Sequence, residues 1–569
     1  MNLNSEQKIM LEGGKGPTKQ KAIRLLIDLG RAANAEKLVP VASAHVSGVS
    51  PLTGGDGLIK FLKDLGSEDN VKTAVDTTLN SAGCDRTKFK EMDIPVKDYV
   101  EKQQIILDAY EKLGIELSLS CTPYDNLNVE GHASWAESNA VCFANSYTKL
   151  RTNRESGLSA IATALCGFTP EYGLLLDKNR LPNLKINVEC ELIEPVDYSI
   201  LGDWIGKQIK PKWNLEYGPI PHIHGIKKLN FEAKKALTSA AANYGCPLLF
   251  IEGHTTSPDN SNYQAKITFT KTELERRYQE LAPRKKVDLV TIGCPQASFD
   301  EIQRTAEYLT DNFVPDNRLW VFTSSANFDK AKDKGLVDKI EKAGGLILRE
   351  TCPEVVHYNH EKVKHILTNS MKAEHYLKSG LNAIDTSVAK LEDCIRFAAK
   401  PDLLVHTKKE QQVTKNVDYD SAKTHQEGKL QISGKGLESQ DTWDIEGEAL
   451  VTDVPITFLG FVNRKTGVIE EEGHPINGLS MKNKILIFPK GSGSTVAPYV
   501  LLGLFYNGNG PKAIINTDLD QQTIPACSIL NVPYAHSFEE NPCLAVNTGD
   551  KIKLKLKSGH VGLGIIERA

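Results

Sequence analysis

Nowhere do two of the eleven cysteines stand as Cys-x-x-Cys. Zinc ribbons, thioredoxin-type redox motifs and ferredoxin cluster runs all need that spacing and are thereby excluded. Any metal site has to be assembled from distant parts of the chain. No uninterrupted apolar run approaches the roughly 18–20 residues that span a bilayer. The opening MNLNSEQKIMLEGGKG lacks the basic-then-apolar pattern of a signal peptide, and its acidic residues oppose a transit peptide. A cytoplasmic protein is expected, in which the cysteines are thiols and not a disulfide framework. The formal charge of −4 lacks the excess that nucleic acid or an acidic membrane surface would call for, so neither is expected as a partner. A Gly-x-Ser-x-Gly nucleophile elbow is missing, and Gly54-Gly-Asp-Gly57 is too short to be a phosphate-binding fingerprint.

The 569 residues present are too many for one core, and about two to four domains are expected. The most informative stretch is Lys286–Leu309, KVDLVTIGCPQASFDEIQRTAEYL. An apolar run, Val287 to Ile292, has strand composition, and Phe299, Ile302, Ala306 and Leu309 recur at helical spacing. Cys294 stands in the turn between them, where open α/β sheets bind ligands and helix amides favour an anion. The helix starts at Ser298 by its capping-box pattern with Glu301, or earlier at Pro295. Two other cysteines share this grammar of strand, cysteine, proline: Cys121 after Ile115–Leu119, and Cys352 after the strand near Leu346. If those strand ends converge, three thiolates can hold an iron–sulfur cluster; the alternative is three small buried hydrophobes. Cys246 precedes its strand instead of following it. Cys142, on the helix expected over 135–150, is a reserve ligand.

Elsewhere the pattern predicts helices near 17–33, 98–113, 158–166, 232–243 and 326–343. Polar turns are expected at Ala42–Gly48 and Thr77–Gly83, and Arg151–Glu155 is either a solvated helix end or an anion-contacting loop. His222 and His224 share a strand face and read as edge histidines before metal ligands. Residues 286–353 alternate strand and helix, an α/β domain with a parallel sheet. The polar stretch 406–428 reads as a linker. Beyond it, 429–569 is a β-rich domain of about 140 residues, enough for its own core, with one clear helix near 497–504. Its centre is Phe488-Pro-Lys-Gly-Ser-Gly-Ser-Thr495, a glycine turn that either presents amides and a hydroxyl to an anion or simply caps the next helix through Ser494.

AHVSGVS (44–50), TTLNSAG (77–83), SCTPY (120–124), RTNRE (151–155), IGCPQASFDEI (292–302), TCP (351–353) and TNSMKA (368–373) together resemble the aconitase X family. GHPINGLSMKNKILIFPKGSGSTV (473–496) is similar to that family's small swivelling part. The resemblance implies a multidomain α/β, aconitase-like fold. It divides the chain into an N-terminal α/β region (1–285), an α/β domain carrying cluster cysteines (286–405), the linker (406–428) and a C-terminal β-rich swivelling domain (429–569). It further implies an iron–sulfur cluster, of open iron count, held by Cys121, Cys294 and Cys352. Ser494 would be the catalytic base, with His45, Val46, Ser47, Asn80 and Ser81 in the substrate pocket and Lys372 and Arg154 for carboxylate binding. Ser492 and Ser81 depart from the family pattern, which often has arginine and proline there.

The implied activity is loss of water from a small hydroxy acid, and the enzyme is expected to act as a monomer. Single-chain members resemble cis-3-hydroxy-L-proline dehydratases, giving pyrroline-2-carboxylate; two-subunit members resemble mevalonate 5-phosphate dehydratases. The fused chain favours the first. A non-catalytic binding protein and a serine hydrolase acting through Ser494 are the readings from other classes.

Overall fold

The computed structural model describes residues 1–125, 129–210, 215, 217–258, 262–310, 312–379, 381–400 and 431–569. Three parallel sheets and a closed barrel carry the fold. The first sheet runs in spatial order Thr77–Leu79, Ser43–Val46, Gly131–Trp135, Leu150–Arg151. The second is Ala265–Phe269, Leu184–Val188, Pro221–His224, Phe250–Ile251. The third is Leu346–Arg349, Leu319–Thr323, Leu289–Ala297, His365–Thr368, Asp385–Val388. The region 1–285 thus holds two parallel sheets with separate cores, besides a small antiparallel pair, Leu38–Pro40 with Phe168–Pro170, where the sequence suggested one unit. The seven-stranded barrel occupies the C-terminal part. The linker 406–428 lies outside the described residues, among which no helix is long and apolar enough to cross a membrane.

Helix boundaries follow their local chemistry. Pro17 opens Pro17–Ala32, and Ser298 caps Phe299–Tyr308 through a reciprocal box with Glu301, which rules out the earlier start at Pro295. Several expectations change. The turn foreseen at Ala42–Gly48 is largely strand, and all four residues of Ser43–Val46 are buried; a parallel strand covered on both faces loses the alternation that marks strands. Ile115–Leu119 makes only an isolated bridge, Thr78 with Glu116, so Cys121 follows an extended segment and not a sheet strand. The helix foreseen from Trp135 starts at Ser138, because Gly131–Trp135 is a strand. The helix foreseen over 326–343 is two, parted at Gly335 (φ +69°), a left-handed position that suits glycine. The barrel domain carries a second full helix, Thr523–Leu530, beside Ala497–Tyr506. Ser494 does not cap the latter, whose N-cap is Val496.

The barrel domain is not a separate globule. Its Val500, Leu504, Ile524 and Ala526 join Ile23, Leu26, Leu58 and Phe61 of the first domain in one continuous core. Helices Pro51–Leu65 and Ala497–Tyr506 cross at Gly57, where a Cβ would stand 2.6 Å from the Gly503 nitrogen and 2.7 Å from the Tyr499 carbonyl oxygen. Nearby, the Tyr499 hydroxyl donates to the Ser47 carbonyl at 3.1 Å. Buried Asp28 accepts from the Ser439 amide (3.1 Å) and the Ser528 hydroxyl (2.6 Å), both from the barrel domain. Gly57→Val should therefore force the two helices apart. We expect a loss of about 1–3 kcal/mol in urea unfolding; unchanged stability would contradict the close crossing.

Candidate active site

A cleft of ≈ 1310 Å³ opens where the first domain, the second and third sheets' loops and the barrel's glycine turn meet. Cys121 and Cys352 approach it from loops; Cys294, expected in a turn, lies instead within the strand Leu289–Ala297, and all three are free thiols, 3%, 6% and 8% exposed. The strand is irregular just before Cys294, where Gly293 takes φ +99° and a Cβ would stand 2.1 Å from the Phe322 carbonyl oxygen. Strand pairing correspondingly breaks register between Ile292 and Ala297. Cys121 and Cys352 line the cleft. Cys294 donates from Sγ to Glu354 Oε1 at 2.9 Å, and Glu354 lines the cleft in turn. Burial, helped by Glu354, pushes the Cys294 and Cys352 thiols far up; burial also raises Cys121 to about 12, with Lys372 opposing.

Lys372 is the electrostatic centre. Ser370 caps its helix, accepting from the Lys372 and Ala373 amides, and so turns the lysine inward at 2% exposure. Its Nζ stands 2.8 Å from Glu137 Oε1 and 3.5 Å from Glu354 Oε1. Burial works against all three charges. For Glu137 the ammonium and the Asn139 hydrogen bonds overcome it and bring the carboxyl down to about 2. For Glu354 burial wins over Lys372 and the carboxyl is raised. For Lys372 the two carboxylates overcome burial and hold it well above its ordinary value. The result is an ionised Glu137–Lys372 pair beside a more readily protonated Glu354. Asn80 Nδ2 donates to Glu137 Oε2 at 2.7 Å and completes its coordination.

Facing this centre is the turn Gly491–Thr495. It is pinned by the Gly491 amide on Asp520 Oδ2 (2.7 Å), the Ser492 hydroxyl on Thr457 Oγ1 (2.7 Å) and Arg154 Nη2 on the Gly493 carbonyl (2.6 Å). Thr495 Oγ1 meets Ser47 Oγ at 3.2 Å, and the Thr495 carbonyl accepts from the Gly157 amide at 3.0 Å. The N–H groups of Gly493, Ser494 and Thr495 make no hydrogen bond among the described residues.

Of the residues singled out in the sequence, Ser47, Asn80, Ser81, Arg154, Lys372, Cys121, Cys352 and Ser494 line one cleft. His45 and Val46 do not, being fully buried in the first sheet. His45 bonds Thr78 Oγ1 at 2.8 Å through Nδ1, and burial lowers its pKa to about 4, so the ring is neutral there. Cys142 packs into the second core beside Cys246 and is no reserve ligand. Glu137 and Glu354 escaped the sequence reading. Glu354 could have been found next to Cys352-Pro353; Glu137 carries no local signal beyond preceding a helix.

The N-terminal 178 residues match the aconitase X first domain, 287–400 its third domain and 439–563 its swivel domain. The chain belongs to the aconitase X family of dehydratases. It is 36% identical over 395 residues to a phosphomevalonate dehydratase large subunit from Methanothermobacter thermautotrophicus, covering 67% of this chain and 96% of that one. With a cis-3-hydroxy-L-proline dehydratase of Pseudomonas aeruginosa it shares 27% over 421 residues, 70% of each chain. The crystal structure of Thermococcus kodakaraensis aconitase X in its holo-form superposes with a TM-score of 0.63 at 32% identity, covering 70% of this chain and all of that one.

No three His, Cys, Asp or Glu side chains among the described residues close tightly enough for a single metal ion. The Cys352 thiol lies close enough to both Cys294 and Cys121 to feel their charge. Ser81 Oγ and Thr351 Oγ1 are buried with no hydrogen-bond partner among the described residues. Two consequences are measurable. Lys372→Met strands Glu137 without its counter-ion and should cost about 3–5 kcal/mol in urea unfolding; a loss within about 0.5 kcal/mol would contradict the charge centre. Glu155, 1% exposed, is raised by burial from 4.5 to about 7. Its contribution is fully present below its unfolded value and is lost as pH rises through about 7, roughly 3 kcal/mol in all. Glu155→Gln should flatten the fall in unfolding midpoint between pH 5 and 8; an equally steep fall would discount Glu155.

Proposed function

We propose that the chain holds an iron–sulfur cluster on Cys121, Cys294 and Cys352 and dehydrates a small β-hydroxy carboxylate, with Ser494 taking the proton α to the carboxylate. The observation that carries this reading is that two of the three thiols and the Ser494 turn line one cleft, with Lys372 among them. A cluster bound there supplies a Lewis-acidic iron for the departing hydroxyl.

The chain's own residues do the rest. Lys372 and Arg154 are the cations that meet the carboxylate and orient its α-carbon toward Ser494. A serine is a poor base in water, and the amides of Gly493, Ser494 and Thr495 stabilise its alkoxide. Ser494 Oγ accepts the α-proton, the released pair forms the carbon–carbon double bond, and the β-C–O bond breaks to release hydroxide, which takes up a proton as water.

Both candidate substrates, mevalonate 5-phosphate and cis-3-hydroxy-L-proline, have that α-proton and β-hydroxyl. We take mevalonate 5-phosphate as the substrate. The 36% identity to a phosphomevalonate dehydratase large subunit supports it over the 27% to a hydroxyproline dehydratase. Arg154 supports an anionic substrate as well: it lines the cleft with no carboxylate partner among the described residues. The fused single chain is the one observation favouring cis-3-hydroxy-L-proline, with pyrroline-2-carboxylate as product.

Purified enzyme assayed on both compounds decides the substrate; turnover of hydroxyproline alone would reverse our choice. Ser494→Ala should lower kcat by about 10²–10⁴-fold with little change in iron content. Cys294→Ala should bleach the visible absorption of anaerobically prepared protein. A colourless, iron-free wild type that still dehydrates would refute the cluster.

A further inference from the structure

Gln296 lies two residues beyond Cys294 and is 1% exposed. Its side-chain Nε2 donates to two main-chain carbonyls: Leu119, two residues before Cys121, at 3.2 Å, and Thr351, immediately before Cys352, at 3.0 Å. Its own amide donates to Cys121 Sγ at 3.4 Å. One residue of the Cys294 strand is thus bonded to the chain beside both other cysteines.

We infer that Gln296 is the positioning residue that holds the three cysteine segments at the spacing of one iron–sulfur cluster, an inference that rests on the ligand reading above. The chemistry selects a long primary amide. Two carbonyl acceptors on different loops require two N–H donors on one nitrogen, at the end of a two-carbon stem. A glutamate would set oxygen against both carbonyls, a leucine would leave both unpaired, and an asparagine is one methylene short. The residue is braced from behind. Its carbonyl accepts from Lys235 Nζ at 2.9 Å, and buried Lys235 pairs with Glu301, whose carboxylate also accepts from the Ser298 amide at 3.0 Å. Lys235 comes from Phe231–Ala242, so the second domain, which supplies none of the three assigned cysteines, helps fix their geometry. The amide on Cys121 also acts on the bound group. An N–H donor to a ligating sulfur stabilises negative charge and raises the reduction potential.

The test compares full-length wild type, Gln296→Leu and Asn145→Leu after anaerobic reconstitution with iron and sulfide. Asn145 is the matched control: its buried Nδ2 also donates to two carbonyls, Thr152 at 2.8 Å and Pro247 at 3.0 Å, but it touches none of the segments carrying Cys121, Cys294 and Cys352. We expect Gln296→Leu to lose iron to a chelator roughly tenfold faster than wild type and to show a lower reduction potential. Asn145→Leu should lose thermal stability while keeping wild-type potential and iron-release rate. Should Gln296→Leu prove insoluble, Gln296→Asn carries the same comparison with a smaller effect in the same direction. Iron release and potential equal to those of wild type, or shifted equally in Asn145→Leu, would overturn the assignment. A wild type that takes up no iron would sink the ligand reading, and this inference with it.

Discussion

A single buried ammonium sets the terms for the cleft. Lys372 is lodged between Glu137 of the first domain and Glu354 of the third-sheet domain, so charge balance ties the two units together as firmly as packing does. Burying an ion pair is costly unless every lone pair finds a donor. Glu137 meets that condition, accepting from Lys372, from the side chains of Asn80 and Asn139 and from the Asn139 amide. Glu354 does not, and its proton equilibrium is left adjustable beside two cysteines. The asymmetry between the two carboxyls follows from hydrogen bonding and from the closer approach of the lysine to Glu137, 2.8 Å against 3.5 Å.

The opposite wall is organised by the main chain. The glycine turn is held at Gly491, Ser492, Gly493 and Thr495, while among the described residues the Ser494 hydroxyl meets only a long contact from the Val496 amide, at 3.4 Å. Every neighbour is restrained and the hydroxyl we assign as base is not. That is the pattern of preorganisation: the reorganisation needed at the moment of reaction is met in folding. Asp520 and Thr457 restrain Gly491 and Ser492 from within the barrel domain, while Arg154, Ser47 and Gly157 of the first domain restrain Gly493 and Thr495, so half of the turn is held only when docked.

Much of this was legible from residues because its causes are local. Ser298 with Glu301 marks a helix start by a reciprocal bond within four residues, and the parallel alternation over 286–353 follows from hydrophobic period alone. The failures share a different cause. His45 looked like a polar ligand in a turn, yet it sits on a strand whose neighbours on both sides come from elsewhere in the chain. Cys121 looked like a strand-end cysteine, although its segment pairs at one position only. The role of Glu137 depends on Lys372, 235 residues away, and no local period encodes that distance. Motif similarity located residues of the cleft, whereas their mutual charge state emerged only from their packing.

The continuous core between the first domain and the barrel carries a consequence for how the enzyme behaves on dilution. Where the large part is a separate subunit, as the name of the Methanothermobacter relative states, a complete cleft depends on encounter and therefore on concentration. Here the two halves of the interface around Gly57 and Tyr499 belong to one polypeptide. Tethering of this kind supplies an effective concentration on the order of millimolar, whatever the amount of protein present. Assembly of the cleft is then a first-order event, and scarcity of the protein lowers the number of active sites without lowering the fraction that is whole.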